Sequence, residues 1–140
     1  MDVLQLLKSE LRERRSELSG LGSPEPNDAT RRSIRSALSV HLAWESEFLL
    51  PELSHVAPQG EAILDRYQQS LKRLRELAGK KSQNDSDVLD AFSTHTDIVE
   101  EKVLPFMRQK IPTAEREELY HVFADAKQEM MATSGSSYVM

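Results

Sequence analysis

Two histidines with carboxylates close by are the residues of this 140-residue chain best placed to do chemistry. His41 and Glu45 stand four apart in HLAWESEFLLP, which runs from His41 to Pro51. Residues at that spacing are neighbours on one face of a helix. Ile34, Ala37, Leu38, Leu42, Trp44, Phe48 and Leu49 fall on the same arc, with His41 and Glu45 in its middle. Two ionisable side chains therefore point at the core. A buried carboxylate without a partner is very costly, and pairing or metal coordination is the usual remedy.

A similar stretch recurs 54 residues on, HTDIVEEKVLP from His95 to Pro105. Each stretch has a histidine, then acids, then apolar residues, then proline. The pattern reads as two helices delivering matched ligands to one site, with a divergent repeat or coincidence as the plainer alternative. The second acid is awkward. Glu100 stands five residues after His95, about 140° away on an ideal helix. Val99 takes the position four residues on. A one-residue π-bulge between His95 and Glu100 would bring the two together, and such bulges are common at functional sites. Because proline breaks a helix interior, Pro51 and Pro105 read as helix ends.

Two more polar residues lie inside apolar arcs. Glu10 falls between Leu6 and Val3 on the first helical wheel, either as a site acid or as an acid reaching solvent or pairing with Arg14. Tyr67 is central in the stripe Ile63, Leu64, Tyr67, Leu71, Leu74 and Leu77. A tyrosine there packs and finds its hydroxyl a partner, or supplies an oxygen ligand to a ferric ion. His55 in LSHVAPQG and His121 beside Tyr120 and Val122 read as surface residues.

The elements that must position these residues are helices. The first spans about Asp2 to Leu18 and ends before the turn-rich GLGSPEPND. The second starts at Asn27 or Asp28, either of which can cap it, and stops around Pro51. The third runs from about Gly60 to Ala78, with Gly79 as its stop and Lys80 and Lys81 beyond. The fourth begins near Ser86 and carries Val88, Leu89, Phe92, His95, Val99 and Val103 on one arc. A short fifth helix, TAEREELYHVFADAKQEM, follows Pro112, with Thr113 as its cap. The fold expected is all-α, an up-down four-helix bundle with a short C-terminal fifth helix. Residues 1–130 make the bundle and 131–140 a flexible tail.

Composition excludes several classes. Charged residues are 29%, apolar residues 39%, and the net charge is −5 with both signs interspersed, which argues against a nucleic-acid surface. No apolar run reaches membrane-spanning length and no signal peptide is visible. Cysteine is absent, so there is neither a disulfide framework nor a thiolate site, and a cytoplasmic location fits. No phosphate loop or nucleophile elbow occurs.

Four amphipathic helices with a histidine–acid motif late in the second and fourth, each followed by proline, resemble the haemerythrin-like (HHE cation-binding) domain family. The resemblance covers about residues 2–130. It implies an up-down bundle holding two non-haem irons bridged by two carboxylates. His41 and Glu45 match the second-helix histidine and bridging acid, and His95 and Glu100 match those of the fourth helix, where the family spacing is also five. The family's first helix carries a histidine in a sequence like LLKADH; here LLKSE puts Glu10 in its place. The third-helix histidines are replaced by Tyr67 and Ile63.

Two outcomes of these departures are open. In one, His41, Glu45, His95, Glu100, Glu10 and Tyr67 bind iron in a reconfigured, oxygen-rich set. Hard oxygen donors favour ferric iron. Such a site would act on or sense a small oxidant (dioxygen, peroxide or nitric oxide) rather than store dioxygen, and any enzyme activity is at most turnover of such a molecule. In the other, the metal is gone and a hydrogen-bonded bundle serves as an interaction or regulatory module. No nucleic acid or membrane is expected as partner.

Overall fold

The computed structural model describes residues 1–22, 27–58, 61–79 and 85–139; the side chains of Gly22 and of residues 134–139 are not part of that description. Gly60, Lys80 and Lys81, and part of the GLGSPEPND loop, lie outside the described residues. Helix α1 spans Val3–Leu18 and passes into a 3-10 turn, Ser19–Gly22. Asp2 caps it by accepting from the Leu4 N–H, and the Gln5 side chain reaches back to the Asp2 N–H. Helix α2 spans Asp28–Trp44, and Asn27 caps it by accepting from the Thr30 N–H at 2.8 Å. A π turn, Glu45–Leu49, leads without a break into α3, Leu50–Val56. Helix α4 spans Ala62–Gly79. Helix α5, Asp85–Ile98, passes through a second π turn, Val99–Val103, into α6, Leu104–Lys110. Helix α7 spans Thr113–Val139.

Ion pairs and side-chain bonds fix the directions. Arg31 and Arg35 on α2 bind Asp85 at the start of α5, and Glu45, further along, meets His95. These two rods therefore run parallel. Asp2 pairs with Arg116 and Glu10 with Lys127, so α1 and α7 are also parallel. Trp44 bonds to Phe123 and His41 to Lys127, which makes α2 and α7 antiparallel. The arrangement is an all-α up-down bundle. The apolar core is led by Leu7, Leu38, Trp44, Leu74, Val99 and Phe123, all with almost no exposure. No helix among the described residues is long and apolar enough to cross a membrane.

The prolines do not end their helices. Each stands as the second residue of the α segment that follows a π turn. In those turns the Leu50 N–H reaches back to the Glu45 carbonyl and the Leu104 N–H to the Val99 carbonyl, one residue further than in an α-helix. The longer loop moves the carbonyl that a proline ring would strike, and the missing N–H is not needed there. The helices end instead at Ala57 and Ile111, both extended, each followed by a proline that prevents continuation. His55 consequently lies on α3 rather than in a loop, and it is exposed. The fifth helix is also not short. Backbone bonding continues through ATSGSSYV to Val139.

Candidate functional site

Helix spacing alone puts Glu45 beside His41, and the burial of both makes them one unit. The His41 Nε2 to Glu45 Oε2 distance is 2.6 Å. The second oxygen, Oε1, lies 2.9 Å from His95 Nε2 and accepts from the Tyr67 hydroxyl at 2.8 Å. Glu45, His41, His95 and Tyr67 are all almost fully inaccessible. One carboxylate from α2's end thus gathers an imidazole from its own helix, an imidazole from α5 and a phenol from α4.

Each imidazole has a different second partner. His95 Nδ1 lies 2.8 Å from the Ser70 hydroxyl, which is also 3.0 Å from the Tyr67 carbonyl. A hydroxyl donates or accepts, so Ser70 can serve either neutral tautomer of His95; the Glu45 carboxylate at Nε2 favours Nε2–H, with Ser70 donating to Nδ1. His41 Nδ1 lies 3.2 Å from Lys127 Nζ on α7. That ammonium also donates to Glu10 Oε2 at 2.8 Å and sits 4.4 Å from the centre of the Trp44 ring, a cation–π contact. An ammonium can only donate, so His41 Nδ1 accepts and its Nε2 carries the proton toward Glu45.

The electrostatics follow from burial and pairing. Burial alone pushes the Glu45 carboxyl up, but the His95 and His41 charges and hydrogen bonds outweigh it and hold the group well below the usual carboxylate range. Burial pulls His41 down against the opposing pull of Glu45. Burial also lowers Lys127, with Glu10 resisting and Arg14 adding to the shift. Tyr67 is raised well above its ordinary value, first by burial and then by Glu45, so it remains a phenol in this arrangement.

The residues singled out from sequence are distributed as follows. His41, Glu45, His95 and Tyr67 meet. Glu10 joins them at one remove, through Lys127 rather than Arg14, which pairs with Glu13 and Glu17. The helix is widened at Glu100, the second residue of its π turn, yet Glu100 is only half-buried and has no hydrogen-bond or ion-pair partner among the described residues. Ile63 is partly buried against the core, and His121 is exposed. Among the described residues no three histidine, aspartate or glutamate side chains form a ready-made ion cage.

Lys127 is the member that sequence reading missed. Its signal was present: Phe123, Lys127 and Met130 share a face at helical spacing, so a cation interrupts an apolar stripe just as Glu10 does. The chain matches no protein-family model, no curated protein and no solved structure.

Proposed function

We propose that this chain is a haemerythrin-like bundle that holds non-haem iron in its core, at His95, Glu45 and Tyr67, and uses it to react with or sense a small oxidant. The observation that carries this reading is the 2.9 Å approach of His95 Nε2 to Glu45 Oε1. Because Ser70 Oγ can accept from His95 Nδ1 and give its own proton to the Tyr67 carbonyl, His95 Nε2 can release its proton to a metal ion without leaving Nδ1 unpartnered. The Tyr67 oxygen stands 2.8 Å from the same Oε1. Donor atoms about 3 Å apart are spaced as neighbouring ligands at about 2.1 Å from one ion would be. The set of one nitrogen and two oxygens is hard enough to favour ferric iron.

Iron so held supplies a Lewis acid and a one-electron couple. The protein's own residues do the rest. Burial keeps bulk water from the site, and Ser70 orients the His95 ring. The test is metal analysis by mass spectrometry with a visible spectrum of aerobically purified protein. Iron that co-purifies, and a melting temperature that falls with chelator, support the reading. A colourless, metal-free protein indifferent to chelator overturns it.

One observation favours the competing reading, a metal-free bundle acting as an interaction or regulatory module. Lys127 already brings a cation to Glu10 and His41, and every polar group of the cluster then has a partner within the chain. The same metal analysis separates the two.

A further inference from the structure

We propose that Lys127 is an internal cation that locks His41 in its Nε2–H tautomer and so limits the core to a single metal ion, on the His95 side. The one-ion limit rests on the iron reading above; the lock rests on the Lys127 and Glu45 contacts to His41. A neutral imidazole has one bare nitrogen. Lys127 Nζ, 3.2 Å away, takes it at Nδ1. The remaining nitrogen, Nε2, then carries a proton and lies 2.6 Å from Glu45 Oε2 as a hydrogen-bond donor. It has no lone pair left for a metal. His95 has a hydroxyl where His41 has an ammonium: Ser70 Oγ can accept as well as donate, so His95 can carry its proton on Nδ1 and free Nε2 for an ion.

Other groups on the His41 side are committed as well. Glu10, which faces that half through Lys127, bonds to that lysine at 2.8 Å. The ammonium is fixed in place by Glu10, His41 and the Trp44 face together, and it is only 7% exposed. A metal ion placed on this half would face a fixed positive charge and a proton-bearing nitrogen. The two halves of the core are thus chemically unlike: one is closed by an ammonium, the other is open to an ion.

The experiment uses the full chain labelled with 15N-histidine, stripped by chelator and then titrated with Zn2+, which is diamagnetic. Long-range proton–nitrogen spectra report which nitrogen of each ring bears hydrogen. The expected result is His41 protonated on Nε2, saturation at one equivalent of zinc, and a large shift confined to His95 Nε2. In Lys127→Met/Glu10→Gln, which removes both charges together, a second equivalent of zinc should bind with a shift at His41 Nε2, while circular dichroism confirms the helices. Two equivalents of zinc in the wild type overturn the one-ion limit. His41 protonated on Nδ1 in the wild type overturns the lock whether or not metal binds, and a double variant that still stops at one equivalent overturns the role given to Lys127. If neither zinc nor iron is taken up, the iron reading fails and the one-ion limit with it, while the tautomer result still decides the lock.

Discussion

Glu45 and His95, 50 residues apart in the chain, meet at 2.9 Å in a core that excludes solvent. Removing the charge at that meeting point tests how much of the fold depends on it. Glu45→Gln keeps the shape but replaces one acceptor oxygen by a donor, which then faces a histidine N–H or the Tyr67 hydroxyl. Breaking a buried charge cluster from one side costs on the order of 3–5 kcal/mol. We expect a loss of that size in urea unfolding of the metal-free protein, and no metal uptake. A loss below about 1 kcal/mol would show that the cluster contributes little to stability.

Tyr67→Phe removes one oxygen and nothing else. In the metal-free protein Glu45 loses a donor, at a cost of about 1–3 kcal/mol. In the iron-loaded protein a bound phenolate gives a broad visible charge-transfer band, and the variant should bleach it while most of the metal stays. An iron-loaded wild type without the band, or a band that survives in the variant, leaves Tyr67 as a packed hydrogen-bond donor only.

Arg14 makes the reverse case. Its side chain is 5% exposed, and only Nη2 finds acids, with Nε and Nη1 buried and without protein partners. Buried donors without acceptors cost more than they return, and an apolar replacement of similar length removes that cost. Arg14→Met should fall within about 1 kcal/mol of the wild type, on either side of it. A loss above about 2 kcal/mol in a denaturant titration would contradict this.

Acid should destabilise the metal-free protein in two stages. His41 is held below 6.5 and Glu45 below 4.5 in the fold, so the unfolded chain takes up each proton first. Stability from His41 is complete above about pH 6.5 and declines below it; the Glu45 contribution is complete above about 4.5 and declines further down. Urea midpoints measured from pH 8 to pH 4 should fall throughout the lower part of that range, and His41→Gln should flatten the first stage. Midpoints that stay level or rise on going from pH 7 to pH 5 would rule this out.

The helices were legible because their apolar stripes repeat at helical spacing, and the inward placement of His41, Glu45, His95 and Tyr67 was legible for the same reason. The widened turn near Glu100 was also visible, since a histidine and an acid five apart cannot share a face of a regular helix. What a spacing argument could not give was that the same widening occurs after His41, or that it lets a helix run past Pro51 and Pro105. Glu10 was correctly singled out as an acid on an apolar arc, but its partner came from 117 positions away and not from its own helix. Proximity across that separation is a property of the packed bundle, which no local pattern records.

The two wide turns have a bearing on chain length. Each π turn contains one residue more than an α-helix needs to cover the same rise, so the rods carry slack at Glu45–Leu49 and Val99–Val103. A one-residue deletion there, at Ser46 for instance, would not rotate the two flanking faces out of register, as it would anywhere else in a helix. It would remove the surplus and leave a plain α-helix, with His41 and Leu53 still facing inward. Pro51 would then meet the carbonyl it now avoids, so such a shortened chain would also need Pro51→Ala. Insertions and deletions in relatives of this chain should therefore gather at these turns, paired with gain or loss of the proline that follows.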